Sequence, residues 1–306
     1  MLAKTLRVGR LRCHLLEGGL QRLDGGAMFG VVPKPLWEKK ITPDERNRIP
    51  LAMRCLLIEH DDGLVLIDTG LGNKESEKFL QIYGVENTGK SGPTQLEDAL
   101  ADAGYKPADV KTVINTHLHF DHAGGNTFIE SISLDNPPTR AALSAAKGQP
   151  ALLSFPNATY VVQKGELDYA LHTNERTAAS YLPHNFEPVA TAGRWRLVDG
   201  EAEVLPGIRV WPTPGHVPFH QSVLVSNGGE TACFLADVMP TTAHVPLPWI
   251  MGYDVEPLRT LESKRKLVAR AFQESWTLVF EHDPEQGLGR VIQDGKSFIY
   301  QRLDTP

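Results

Sequence analysis

Short runs of apolar residues, each bounded by turn-forming residues, recur along the chain and predict many strands. They fall at residues 6–16, 51–60, 63–67, 110–115, 158–163, 194–198, 208–212, 221–226, 231–235 and 277–280. The turn residues Asp61, Asp62 and Gly63 join the second strand to the third, and Asp294-Gly295 predicts a late hairpin. This number of strands is enough for two sheets.

Three segments have helical patterns instead. Thr94 and Glu97 form a capping-box pattern, and the helix that they open is expected to end at Gly104. Another helix is expected from about Lys164, and a third from Pro257 to about residue 272, because proline suits the first helical turn. Strands followed by a helix thus occur once in each half of the chain. This rhythm predicts an α+β fold with two sheets packed face to face and helices outside.

One domain spanning residues 1–306 is expected, with two segments that depart from this rhythm. Residues 18–50 are rich in glycine, proline and apolar side chains, among them Met28 and Trp37. Loops this long usually have a function, so we expect this one to cover part of the molecule. Residues 130–155 contain prolines and many alanines, and they are interpreted as an irregular insertion.

Composition and charge exclude several classes of protein. The formal net charge is −6 and there is no dense run of Lys or Arg, which argues against a nucleic-acid partner. No apolar run approaches the roughly 18 residues that a membrane span needs. Cys13, Cys55 and Cys233 lie in apolar stretches and are expected to be buried free thiols, which suits the cytoplasm.

Chemistry is concentrated in residues 117–122, which contain His117, His119, Asp121 and His122. Eleven histidines in 306 residues would put roughly 0.2 of them in a six-residue window. Imidazoles this close repel one another when they are protonated, and burying them without partners is costly. A bound cation removes both problems, so this segment predicts a metal site. A solvated histidine-rich turn is the alternative.

Further ligands are expected where later strands end, because one loop cannot complete two coordination spheres. His216 follows the strand at 208–212, Asp237 ends the strand at 231–235, and His282 ends the strand at 277–280. Loops at one edge of a rigid scaffold commonly form such sites. Taken singly, each of these residues is also compatible with an ordinary structural role.

The order of these elements, together with Asp68 in the run 66–70, resembles the metallo-β-lactamase superfamily of hydrolases from about residue 51 to residue 282. The resemblance implies an αββα four-layer sandwich of two mixed sheets, with two divalent metal ions at one edge. The ligands would be His117, His119 and His216 for one metal, Asp121, His122 and His282 for the other, and Asp237 as the bridge. Asp68 would orient a ligand imidazole from behind, which also makes physical sense.

Two features place the chain within this superfamily. His119 stands where the flavodiiron branch usually has glutamate, and the intact Asp121-His122 pair suits the broad hydrolase branch. The chain is most similar to the group of N-acyl-homoserine lactonases and methyl-parathion-hydrolase-like proteins. The similarity implies a lactonase-like enzyme in which a metal-bridging hydroxide attacks a small hydrophobic lactone or ester. Zinc is expected, with iron, manganese or cobalt open. Asp121 is expected either to shuttle protons or to act only as a ligand.

The position three residues after Asp237 departs from the lactonase pattern. Lactonases typically have tyrosine there, and this chain has Pro240. His244 and Tyr253 are candidate catalytic substitutes, although a loop histidine or tyrosine is often structural. The apolar segments 28–37 and 245–251 predict either core packing or a hydrophobic substrate wall.

Other activities stay open at this point. An organophosphate triesterase or arylesterase would use the same hydroxide. A mononuclear iron dioxygenase would leave His122 and His282 without metal. A glyoxalase-II-like thioesterase would need a basic glutathione site, and the sequence has no clear Lys/Arg cluster for one. A homodimer is expected from the relatives.

Overall fold

A computed structural model describes residues 2–130 and 150–303, and their strands form two seven-stranded sheets. The first sheet has the order β1-β2-β3-β4-β5-β8-β9, and the second runs from β10 to β16 in sequence order. Strands of the first sheet are β1 Ala3–Val8, β2 Leu11–Asp24, β3 Arg48–Glu59, β4 Leu64–Ile67, β5 Val110–Ile114, β8 Thr159–Gln163 and β9 Trp195–Val198. Strands of the second are β10 Ala202–Leu205, β11 Ile208–Pro212, β12 Gln221–Asn227, β13 Glu230–Phe234, β14 Thr277–Val279, β15 Leu288–Asp294 and β16 Ser297–Arg302. β6 Thr127–Phe128 and β7 Leu152–Leu153 form a small separate pair.

Helices cover the outer faces of the two sheets. They are α1 Gly25–Phe29, α2 Lys34–Trp37, α3 Glu77–Tyr83, α4 Gln95–Asp102, α5 Phe120–Ala123, α6 Lys164–Leu171, α7 Glu187–Thr191 and α8 Pro257–Gln273. The central core lies between the sheets and includes Leu15, Leu56 and Val223. Leu100 of α4 belongs to a second core outside the first sheet, and Leu267 of α8 belongs to a third outside the second sheet. These layers confirm the expected α+β sandwich.

Both sheets are mixed, and their parallel pairs carry the loops that matter for function. β4 pairs with β5 in parallel, and β13 pairs with β14 in parallel. The carboxyl ends of parallel neighbours lie at the same edge of a sheet. The loops after these four strands therefore start from one edge of the sandwich. No helix of the described residues is both long and apolar enough to cross a membrane.

The prediction of one strand at residues 6–16 is wrong. The chain turns at Gly9-Arg10, where Gly9 has a φ of +56°, so β1 and β2 form a hairpin instead. An apolar run gives no measure of strand length when a short turn interrupts it, and β2 then continues to Asp24.

The expected covering loop is shorter than residues 18–50, because β2 and β3 take both of its ends. Residues 25–47 remain outside the strands, and they contain α1 and α2. Most of the expected insertion at 130–155, from residue 131 to residue 149, lies outside the described residues. The strand β10 and the helix α3 were not predicted.

A β-bulge interrupts the pairing of β2 with β3. Glu17 pairs with Arg54 and Leu20 pairs with Ala52, so β2 has one extra residue in this interval. Gly18 and Gly19 occupy the bulge. One extra residue reverses the alternation of side chains between the two faces of a strand. The side chains of β2 beyond the bulge therefore face the side opposite to that expected from its first half.

Candidate metal centre

Seven imidazole and carboxylate side chains meet at the edge where the parallel strands end. The segment after β5 brings four of them from the first sheet, and the loops after β11, β13 and β14 bring one each from the second. The first donor group consists of His117, His119, His216 and Asp237. The second donor group consists of Asp121, His122 and His282. Within each group, one ligand atom per residue lies within 4.8 Å of the others.

Short distances define the first donor group. His119 Nδ1 lies 3.1 Å from His216 Nε2, and His216 Nε2 lies 3.0 Å from Asp237 Oδ2. His117 Nε2 is 4.0 Å from the same carboxylate oxygen. The nitrogens and the oxygen thus surround one small volume, as the donors of a metal site do.

Asp237 also reaches the second donor group. Its Oδ1 lies 3.0 Å from His282 Nε2, which is 3.1 Å from His122 Nε2. Asp121 completes this group, with Oδ1 3.9 Å from His122 Nε2 and Oδ2 3.8 Å from His282 Nε2. Asp237 Oδ2 also lies 3.6 Å from His122 Nε2, so the carboxylate lies between the two donor groups.

The nitrogens that point away from the centre have partners of their own. His122 Nδ1 donates to Asp68 Oδ2 at 3.0 Å, and His216 Nδ1 donates to Asp254 Oδ1 at 3.0 Å. His282 Nδ1 donates to the carbonyl of Ala52 at 2.7 Å. A hydrogen bond at Nδ1 fixes the ring and directs the Nε2 lone pair inwards, as in metal sites generally.

Two backbone conformations at this edge are unusual. Asp68 has a φ of +54° and Ala236, next to Asp237, has a φ of +48°. Non-glycine residues in this region cost of order 1–3 kcal/mol, and such strain clusters at functional sites. The strained backbone at these two positions sets the directions of the Asp68 and Asp237 side chains.

The electrostatics of the cluster act in two directions. Burial lowers the pKa of His216 and His282, but the Asp237 carboxylate outweighs it and raises the pKa of His216 to about 10 and that of His282 to about 9. Burial, and then the neighbouring imidazoles, hold the pKa of His117 well below its usual range. Burial opposes ionisation of Asp237, but His216 and His282 outweigh it and hold the pKa of its carboxyl well below the usual range. His117 Nε2 is buried and has no hydrogen-bond partner among the described residues. A buried nitrogen without a partner, surrounded by imidazoles and a carboxylate, fits a divalent metal ion.

Comparison with known proteins agrees with this geometry. A family model described as the metallo-beta-lactamase superfamily matches residues 50–282. The chain belongs to this superfamily. N-acyl homoserine lactonase AiiA of Bacillus thuringiensis subsp. kurstaki is 28% identical over 254 residues, which cover 80% of this chain and 86% of AiiA. N-acyl homoserine lactonase AttM of Agrobacterium fabrum is 28% identical over 195 residues, 61% of this chain and 64% of AttM.

Solved structures of the superfamily include close matches to the whole fold. A probable metal-dependent hydrolase from Staphylococcus aureus has a TM-score of 0.83 and 31% identity, with 98% of this chain and 100% of that chain covered. AidC, described as a dizinc quorum-quenching lactonase, has a TM-score of 0.75 at 20% identity, with 99% and 97% covered. At that identity the match to AidC shows the fold alone. The chain is thus a metal-dependent hydrolase with lactonase homologues.

A cavity of about 130 Å³ opens over the two donor groups. Its apolar wall includes Met28 from α1 and Leu51 from β3, with Leu23, Met251 and Val255 around them. The expected covering segment therefore supplies part of the wall through Met28. Ligand pockets are commonly lined by apolar side chains of this kind.

The two candidate catalytic substitutes lie in different environments. His244 is buried outside the cavity lining, where its ring stacks on Phe29 at 4.7 Å and its nitrogens contact Thr241 Oγ1 and the Met28 carbonyl. Both nitrogens are engaged in holding the wall, so we propose no catalytic role for His244. Tyr253 does line the cavity and is 39% exposed. Burial raises the pKa of Tyr253 to about 12, so its phenol keeps its proton at neutral pH and can donate a hydrogen bond.

Several residues at this site were missed by the sequence analysis. His220 Nε2 accepts the backbone N–H of Asp237 at 3.2 Å, and Tyr83 lines the cavity. The Glu166 carboxylate accepts the N–H of Leu118 at 3.0 Å, between two of the clustered histidines. Gln21 donates from Nε2 to Asp121 Oδ2. These four residues stand in no sequence motif, because their positions depend on packing between distant elements.

Proposed function

We propose that the chain is a dinuclear hydrolase that opens lactones or cleaves hydrophobic esters. The position of Asp237 is the observation that supports two cations, because its oxygens lie 3.0 Å from His216 Nε2 on one side and 3.0 Å from His282 Nε2 on the other. A site for one cation would need no carboxylate facing two groups. Closed structural sites commonly use four ligands, and seven donors exceed that number.

The two donor groups divide the ligands between the cations in this proposal. His117, His119 and His216 would hold one cation, Asp121, His122 and His282 would hold the other, and Asp237 lies between the two groups and would serve both. Asp68 orients the imidazole of His122 through their hydrogen bond. Zinc is the proposed metal because imidazole and carboxylate suit it, and AidC is described as dizinc. Iron, manganese and cobalt are accepted by the same donors.

The catalytic proposal assigns separate tasks to the residues around the metals. When bound, cations held by these residues would supply hydroxide at neutral pH, since a metal ion can lower the pKa of a bound water to about 7. Asp121 lies at the edge of the second donor group, where its carboxylate accepts a proton and returns it to the leaving oxygen. Tyr253, on the cavity wall, donates a hydrogen bond to the substrate oxygen. It replaces the phenol that Pro240 cannot supply.

The proposed substrate is a small molecule with an apolar acyl group. Leu23, Met28, Leu51, Met251 and Val255 form the apolar part of the cavity. AiiA and AttM are named as N-acyl homoserine lactonases, whose substrates by that name combine a lactone with an acyl chain. The apolar wall and the hydrolytic centre together support the same combination here.

The test is purification with defined metal, followed by a panel of acyl lactones, aryl esters, phosphotriesters and a cephalosporin. The expected result is two metal ions per chain and the highest kcat/KM with an acyl lactone. One iron per chain would instead indicate a dioxygenase and contradict the dinuclear proposal. A preference for phosphotriesters with two metals would keep the centre and replace the substrate.

Three further properties are proposed for the whole chain. We infer a single domain over residues 1–306, a homodimer, and a cytoplasmic location. Cys13, Cys55 and Cys233 are buried free thiols, which suits a reducing compartment. Light scattering of the purified protein tests the dimer, and a monomeric mass at micromolar concentration would contradict it.

A further inference from the structure

Gln21 is a buried amide whose hydrogen bond goes directly to the metal centre. It lies on β2 with no measurable exposure to solvent, and its Nε2 donates to Asp121 Oδ2. The donor must be Nε2, because an ionised carboxylate only accepts hydrogen bonds. The other end of the amide, Oε1, has no hydrogen-bond partner among the residues that the structure describes.

The β-bulge aims Gln21 at this site. Before the bulge, the odd-numbered residues Cys13 and Leu15 face the core between the sheets. After it, Gln21 pairs with Leu51, whose side chain lines the cavity. Without the extra residue, the Gln21 side chain would face the opposite side of the sheet, away from Asp121. Bulges near active sites commonly re-aim a side chain in this way.

The bulge itself depends on two glycines. A Cβ on Gly18 would lie 2.4 Å from the carbonyl oxygen of Met53, and a Cβ on Gly19 would lie 2.6 Å from the Cβ of Asn87. Gly19 also has a φ of +119°, which side chains rarely adopt. Other residues at these two positions would displace the bulge. The sequence therefore specifies the local shift that turns Gln21 towards Asp121.

An apolar residue at this position would stabilise the fold more than the buried amide of Gln21 does. An amide loses its water on burial, and Oε1 of Gln21 gains no hydrogen bond from the part of the chain that the structure describes. Leu51, which pairs with Gln21 on β3, is buried and apolar, so this part of the sheet favours an apolar side chain. The hydrogen bond to Asp121 is thus the feature that distinguishes glutamine from methionine or leucine at this position.

We propose that Gln21 is a positioning residue for Asp121 and thereby sets the affinity of the second donor group for its cation. Its N–H fixes the rotation of the carboxylate, which keeps the two oxygens within 4 Å of His122 Nε2 and His282 Nε2. A carboxylate free to rotate would have to be ordered when the cation binds. This inference rests on the proposed dinuclear function, since it assigns one cation to the group that contains Asp121.

The experiment measures Zn²⁺ binding to the metal-free protein by calorimetry, with a competing chelator, for the wild type and for Gln21→Met. Methionine matches glutamine in length but donates no hydrogen bond. The wild type is expected to bind two equivalents. In Gln21→Met one equivalent is expected to bind 10- to 100-fold more weakly, the usual effect of losing a partner of a ligand, and the other is expected to be unchanged.

Gln163→Met is the matched control. Gln163 is also a buried strand glutamine, and its Nε2 donates to the carbonyl of Gly200 at 2.8 Å and to Gln221 Oε1 at 2.7 Å. This variant is expected to lower the urea midpoint of the metal-free protein at least as much as Gln21→Met, with both Zn²⁺ affinities unchanged.

The outcomes separate the two proposals. A wild type that binds only one equivalent would overturn the dinuclear function and this inference with it. Two equivalents in the wild type with unchanged affinities in Gln21→Met would overturn the role of Gln21 alone. Equal weakening of both equivalents with a lower urea midpoint would also overturn it, because that pattern belongs to a general packing residue.

Discussion

Several side chains of the metal centre have a hydrogen-bond partner that fixes their orientation. Asp68, Asp254 and the carbonyl of Ala52 each fix one imidazole, and Gln21 contacts the carboxylate of Asp121. A metal site built in this way pays little ordering entropy when the cation binds. Substitutions at the donors themselves should therefore affect activity far more than they affect folding.

His119→Ala tests the donor set. Loss of this imidazole is expected to lower kcat/KM for an ester or lactone by more than about 100-fold, because even the partners behind ligands contribute 10- to 100-fold. The circular dichroism spectrum should stay that of the wild type. His172→Ala, the same change at an exposed histidine, serves as the control. Full activity in His119→Ala would remove His119 from the ligand set.

Glu166 gives a prediction about pH. Burial raises the pKa of Glu166 to about 7, compared with about 4.3 for an exposed glutamate. The folded state therefore binds this proton more tightly than the unfolded state. Its contribution to stability is complete below about pH 4.3 and is lost as the pH rises towards 7.

Glu166→Gln should remove this dependence while keeping an acceptor for the N–H of Leu118 and the hydroxyl of Tyr181. Relative to wild type, the free energy of unfolding of the metal-free variant should rise by about 2.5 kcal/mol between pH 5 and pH 8. Urea unfolding at the two pH values measures it. Glu175→Gln, at an exposed position, should show no such difference. A parallel pH profile for wild type and Glu166→Gln would refute the assignment.

Among individual residues, sequence motifs located those that follow strand ends. They did not locate residues whose positions depend on packing between distant elements. His216, Asp237 and His282 could be found because each stands directly after an apolar strand. Gln21 could not, since a period-2 pattern read without the bulge assigns it to the wrong face. The surroundings of His244 could not be predicted, because its contact with Phe29 joins segments far apart in the chain.

Elements with local signals were the ones that sequence reasoning located well. The capping box predicted the start of α4, and Glu97 accepts the N–H of Thr94 at 2.9 Å as expected. The hairpin at Asp294-Gly295 also formed, between β15 and β16. The short helices α1 and α3 have too few residues for a periodic pattern, so their formation depends on the surfaces that they cover.

The covering segment, residues 25–47, offers a prediction at the scale of an element. Phe29 is buried between Trp37, at 5.3 Å, and His244. Phe29→Ala should lower the free energy of unfolding by about 3–5 kcal/mol and should raise KM more than it lowers kcat, because Met28 beside it lines the cavity. Urea unfolding and steady-state kinetics test both parts.

Phe272→Ala is the matched control for this change. Phe272 lies on α8 and is 39% exposed. Phe272→Ala should therefore lower the free energy of unfolding much less than Phe29→Ala does, and it should leave KM unchanged. An unchanged KM in Phe29→Ala would show that the segment does not hold the wall.

For the whole molecule, the alternation of strands and helices was enough to predict the sandwich, because two amphipathic sheets must bury one face each. The order of strands could not be derived in that way. The parallel pairs β4–β5 and β13–β14 join segments separated by long stretches of chain, and no local pattern encodes such pairing.

Metal should stabilise the whole molecule, since its donors come from both sheets. At a free Zn²⁺ concentration of 100 times Kd, each occupied site should add about 2.7 kcal/mol to the free energy of unfolding. Comparison of chelator-treated and Zn²⁺-replenished protein by urea unfolding measures this gain. Mg²⁺ at the same concentration, which prefers oxygen donors, should give little of it. Equal midpoints with and without Zn²⁺ would contradict a site shared by the two sheets.

The division of the donors between the sheets also has a consequence for biosynthesis. The chain emerges from the ribosome with His117 to His122 complete long before His216, Asp237 and His282 exist. A nascent chain can therefore offer only half of a centre, and high-affinity capture of the cations has to wait until the second sheet has docked. Metal uptake during refolding should then report the final assembly step, and a metal-loaded molecule is one that has already completed its fold.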